Sequence, residues 1–129
     1  MIPLILLLLL LAGCGPTGLV IGESCRADEF FQIVTIDGKA QACYADNEVK
    51  VVLENGPEQD IGMVYVVVQG DGGSLDSNQL VNLDKGFATT VRMPYDASLA
   101  TPRNIAVVPI INGRECAENT RTAPLRPCP

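Results

Sequence analysis

The chain has no histidine, no tryptophan, few aromatic residues (5%) and no cluster of basic side chains. Each absence removes a class of activity. Without histidine, no side chain has an ordinary pKa near neutrality for proton transfer. The usual Ser-His-Asp and Cys-His nucleophile systems are excluded, as are the common zinc and non-haem iron sites. Nine Lys and Arg stand against 15 Asp and Glu, a net charge of −6, so nucleic acid is not an expected partner. The same acidity gives no pull toward anionic lipid headgroups. No GxGxxG follows a strand, no GxxxxGK[ST] occurs, and no cofactor is expected. There is no CxxC spacing for a metal knuckle and no Asn-x-Ser/Thr sequon for N-glycosylation.

What is present begins at the N-terminus. Ile2 to Leu11 is almost pure leucine and isoleucine, followed by Ala12, Gly13 and Cys14. An apolar run of that length fits the h-region of a signal peptide and is about half of a membrane-spanning helix. Leu11-Ala12-Gly13-Cys14 resembles the lipobox of secreted lipoproteins. The resemblance implies cleavage before Cys14, a lipid on its thiol, and a mature protein held at the external face of the cytoplasmic membrane. Two features depart from the pattern: no basic residue precedes the apolar run, and Pro3 interrupts its start. An ordinary secretory signal or an uncleaved anchor is the alternative. Met1 to Gly22 is uncharged and long enough to span a bilayer, but Gly13, Gly15, Pro16 and Gly18 make it a poor continuous helix.

The length suits one domain, with boundaries at 1–13 for the signal peptide, 14–24 for a lipidated tether and 25–129 for the folded part. With Cys14 assigned to lipid, Cys25, Cys43, Cys116 and Cys128 remain, an even set in an exported domain, and two disulfides are expected. Four cysteines allow three connectivities. Cys25–Cys128 with Cys43–Cys116 is preferred, because the first bond would tie the two ends of the domain together.

Past the tether the pattern is one of short strands and turn signals. Phe31 to Ile36 meets Asp37-Gly38, a two-residue hairpin signal, and Ala40 to Ala45 follows. Glu48 to Glu54 alternates, Val49, Val51 and Leu53 facing one way and Glu48, Lys50 and Glu54 the other. Met63 to Val68 is an unbroken apolar run, expected to be a central strand covered on both faces. Gly70 to Asn78 reads as a loop and Leu80 to Leu83 as a short strand. Gly86 to Tyr95 alternates again. Asn104 to Ile111 is β-branched, and its Pro109 argues for an edge or a bulge. Asn112-Gly113 is a second hairpin signal leading into Arg114 to Thr122, and Ala123 to Pro129 should be extended. The whole predicts an all-β antiparallel sandwich.

Several of these segments carry a resemblance. Glu54-Asn55-Gly56 closing a strand, Ile61-Gly62 opening a Val-rich one, and Leu83-Asp84-Lys85-Gly86 before a strand ending Pro94-Tyr95 are similar to immunoglobulin-like sandwich modules of cell-surface proteins, notably archaeal ones. The last strand, ending Asn112-Gly113-Arg114-Glu115-Cys116, resembles the end of such modules in small secreted or pilin-like proteins. The resemblance implies a structural or adhesive role and supplies no catalytic residues.

Three functions follow as expectations. The first is a non-enzymatic, membrane-anchored surface module that binds another cell-envelope protein or a polysaccharide. The second is a pilin-like filament subunit that keeps its apolar N-terminus. The third is a calcium-binding protein or a carboxylate-based extracellular enzyme. For calcium, the candidate ligands are Asp71, Asp76 and Asn78 in a Gly-rich stretch that lacks EF-hand spacing; Asp46-Asn47-Glu48 is a weaker candidate. The competing reading is a plain surface turn, which needs the same residue types. Fifteen acids also guarantee coincidental carboxylate pairs, so a glycosidase pair cannot be singled out.

Overall fold

The computed structural model of the chain describes Cys25, Ala27 and residues 29–129. Cys14, the lipobox and the tether lie outside the described residues. Among those residues there are twelve strands, two short 3-10 turns (Ala97–Leu99 and Ala117–Asn119) and no α-helix. In chain order the strands are β1 (Gln32–Ile33), β2 (Thr35–Ile36), β3 (Lys39–Ala40), β4 (Ala42–Ala45), β5 (Glu48–Glu54), β6 (Ile61–Gly70), β7 (Gly73–Leu83), β8 (Ala88–Pro94), β9 (Pro102–Ile111), β10 (Arg114–Glu115), β11 (Arg121–Pro124) and β12 (Arg126–Pro127).

Two five-stranded sheets carry the fold. In the first, β5 pairs along its length with β8, from Glu48 opposite Pro94 to Glu54 opposite Ala88. Its other side is shared by β1 and β4, which the β2–β3 hairpin separates in sequence. Backbone bonds from Val34 to Val52 and from Val52 to Gln41 carry the ladder across that interruption. β12 then adds to β4 in parallel. In the second sheet β6 lies between β7 and β9, and β9 takes β10 and β11 on its far side. All pairings except β12 with β4 are antiparallel.

Alternation decides which side chains meet. Val49, Val51 and Leu53 of β5 and Val91 and Met93 of β8 form one core with Val64, Val66 and Val68 of β6 and Ile105 and Val107 of β9. Successive residues of a strand face opposite ways, so each sheet commits one of its two residue sets to this shared interior. Two-residue turns set the register. Asp37-Gly38, Asp46-Asn47 and Asn112-Gly113 all have positive φ at both positions, the type I′ geometry that follows the twist of paired strands.

Several segments differ from expectation. Residues 70–78 are not a loop: only Asp71 and Gly72 turn, between Gly70 and its partner Gly73, and β7 runs on through the segment expected as a separate short strand. Polar side chains suit it because β7 is an edge strand whose outer face is in water. β6 is central but covered on one face only: Val64, Val66 and Val68 are buried, while Met63, Tyr65 and Val67 are half-buried. Pro109 lies on interior strand β9, not at an edge. It sits opposite the gap between β10 and β11, where its carbonyl accepts from the Cys116 N–H and the ladder does not require its missing N–H. The expected strand over residues 114–122 is broken by the 3-10 turn Ala117–Asn119.

The cysteine pairing also differs. The bonds are Cys25–Cys116 and Cys43–Cys128, with Cα separations of 4.9 and 4.8 Å. Neither ties the ends of the domain to each other. β12 sets Arg126 and Pro127 opposite Cys43 and Tyr44, and the Cys128 N–H donates to the Tyr44 carbonyl, so Cys128 comes to rest beside Cys43. At the other end, the buried Asn119 amide accepts from the Ala27 N–H at 3.0 Å and donates to the Ala27 carbonyl at 3.3 Å. That pair lays Ala27 against the 3-10 turn that follows Cys116.

Leu53 is fully buried between the sheets. Leu53→Ala should lower stability by about 2–5 kcal/mol in denaturant unfolding, the cost of transfer plus the cavity left behind. A loss below about 0.5 kcal/mol would mean that the two sheets do not share this interior.

Candidate functional site

Gly70 ends β6 at a close approach. A side chain there would collide with the Tyr95 hydroxyl and come within 2.7 Å of the Leu99 carbonyl. With that space clear, the Asp71 and Gly72 N–H groups donate to the Thr101 and Leu99 carbonyls, which pins the β6–β7 turn to the segment before β9. The turn holds Asp71 toward β9, where Arg103 donates to it from Nε and Nη2, both at 2.9 Å. This paired contact lowers the Asp71 pKa below the usual carboxylate value and raises that of Arg103. Both groups are exposed, so the pair contributes position more than stability.

Asp76 sits further along, on the outer face of β7, and accepts a short hydrogen bond from the Tyr65 hydroxyl. That bond is the main cause of a raised Tyr65 pKa. The phenol is held protonated, the reverse of what a nucleophile needs. Asn78 lies two residues on along the same face, paired in register with Tyr65. The calcium candidates are therefore not brought together. Five residues of extended chain, about 16 Å, separate Asp71 from Asp76, and each carboxylate already has a donor. Among the described residues no group of three or more His, Cys, Asp or Glu could hold a metal ion. Asp46 and Asn47 form the β4–β5 turn, and Glu48 pairs with Arg92 at 3.6 Å.

The surface has shallow grooves. One, of about 490 Å³, is lined by Glu29, Glu58 and Glu118 with Ala27 and Asn119. These glutamates come from three distant parts of the chain, so no local motif marks them. A second groove, of about 480 Å³, opens between β7 and β8 and is lined by Leu75, Ser77, Gln79, Met93 and Tyr95, among others. Burial raises the Tyr95 pKa, and its hydroxyl donates to the Leu99 carbonyl at 3.3 Å. Leu80, on the outer face of β7, is 81% exposed.

No protein-family model matches the chain, and comparison with curated proteins and with solved structures finds no significant match.

Arg103→Met should raise the Asp71 pKa toward its ordinary value, followed by NMR titration of the carboxyl carbon. Because the folded-state pKa is depressed, the pair's contribution is present above the unfolded-state pKa and disappears as pH falls through the folded one. An Asp71 titration unchanged by the substitution would remove Arg103 as its cause.

Proposed function

We propose that this protein is a non-enzymatic surface module, held by a lipid on Cys14 to the external face of a cytoplasmic membrane and binding another envelope protein or a polysaccharide. The observation that carries the reading is the disulfide pair. Bonds that span 91 and 85 residues belong to chains that fold in an oxidising compartment, and the lipobox-like segment lies a short tether upstream of the first of them. Strand order adds support for an immunoglobulin-like sandwich. The series β4–β5–β8 against β7–β6–β9–β11 corresponds to strands A–B–E against C′–C–F–G of that architecture. Such a fold fills its interior with its own side chains and leaves loops, edges and outer faces for recognition.

The carboxylate-enzyme alternative would draw on a groove where acidic side chains share a concavity, either that of Glu29, Glu58 and Glu118 or the one between β7 and β8, lined by Asp76 and Asp96. The filament alternative requires the apolar N-terminus to survive in the mature protein.

Expression of Cys14→Ser in a host that lipidates exported proteins separates the lipid-anchored reading from the retained-segment one. Wild type should fractionate with membranes and incorporate labelled fatty acid, while the variant incorporates none and its processed domain is recovered in the soluble exported fraction. A Cys14→Ser protein that remains in the membrane with residues 1–22 intact would overturn the lipid anchor and favour the retained-segment reading.

A further inference from the structure

Among the described residues six strands pair on one side only, β1, β8 and β12 in the first sheet and β7, β10 and β11 in the second; they are not alike, and β1 has two residues. Strand β8 carries Arg92 and ends in Pro94; β10 and β12 have two residues each, with Pro127 in β12; and β11 ends in Pro124. Proline, charge and shortness all discourage another strand from adding to an edge. Strand β7 has the least of these. It is the longest strand, eleven residues from Gly73 to Leu83, with no proline, no basic residue and one charge, Asp76. Among the described residues it pairs with β6 alone. Two of the side-chain bonds along it are local, from Gln79 to Ser77 and from Ser77 to the Asn78 carbonyl, and the Asp76 carboxylate accepts from Tyr65 of β6, the strand that β7 already pairs with. Beside this edge lies the open groove between β7 and β8, and on its outer face stands Leu80.

We propose that β7 is the contact between two copies of this chain, paired antiparallel about a two-fold axis at Asn78. The occupant follows from the sequence of the strand. With Asn78 opposite its own copy, Ser77 faces Gln79, Leu75 faces Val81 and Asp76 faces Leu80 of the second chain. Polar residues meet at the centre and apolar ones further out, on the groove side, where Leu75 already lines the wall. The two Asp76 carboxylates then stand four residues apart along the strands, about 13 Å and beyond the screening length at physiological salt. A register centred on Asp76 would set them directly opposite. The pairing supplies partners for the outer N–H and C=O groups of β7 and places the exposed Leu80 against the neighbouring strand. A contact one strand wide sits at or below the lower end of stable interfaces, about 1,200 Å² in total, so the dimer is weak and dependent on concentration.

The test uses the full chain purified in mild detergent. Asn78→Cys places two thiols at directly opposed positions, with Cα atoms about 4.5–5.5 Å apart and within disulfide reach. Ser74→Cys leaves them about 26 Å apart. Under mild oxidation the first variant should give a band of doubled mass and the second should not. Because an added thiol can disturb native pairing, sedimentation velocity of the unsubstituted chain over a concentration series provides the second reading, and its mean mass should rise toward that of a dimer. A mass that stays monomeric throughout overturns the proposal, and so does equal cross-linking of the two variants.

Discussion

The bond between Cys43 and Cys128 holds β12 beside β4, and the bond between Cys25 and Cys116 holds the start of the described chain against the margin of the other sheet. A domain of this size buries a smaller fraction of its surface than a larger one, so its core alone leaves a narrow margin. Each bond closes a loop spanning most of the domain and restricts the unfolded chain, a contribution of about 2–4 kcal/mol where the native geometry is unstrained. Arg121 works alongside them, donating from β11 to the Phe31 and Glu29 carbonyls, and Arg126 donates to the Ala40 carbonyl. With both flanks held, the valines of β5 and β6 face each other in one interior.

Legibility in the sequence followed how local each cause is. The alternation of residues 48–54 named the buried face of β5 correctly, because its inward and outward sets have different chemistry. Asp37-Gly38 and Asn112-Gly113 gave their hairpins for the same reason: the dihedral demand falls on two adjacent residues. β7 escaped because an edge strand with a solvated outer face has Ser74, Asp76, Asn78 and Asn82 at alternate positions, a composition shared with loops. The apolar run over 63–68 overstated burial, since Met63, Tyr65 and Val67 face outward and are half-buried. Pro109 was an informative signal attached to the wrong neighbour, marking a break in the partner strand of β9 and not the edge of the sheet.

The candidate site was less legible. Which residues form the disulfides could be argued from compartment and parity, but which cysteine meets which depends on β12 adding to β4 in parallel, a pairing without a short-range mark. Asp71 and Asp76 looked like neighbours in a loop, but a two-residue turn and a strand send them to different partners, Arg103 and Tyr65. The groove of Glu29, Glu58 and Glu118 is assembled wholly by tertiary contact, beyond the reach of any spacing rule.

How this chain closes depends on which cysteines are joined. Proteolysis without reduction, followed by mass spectrometry of the linked peptides, reads this directly. Two species are expected, one joining Cys25 to Cys116 and the other Cys43 to Cys128. A peptide joining Cys25 to Cys128, or free thiols at all four positions, would contradict this pairing.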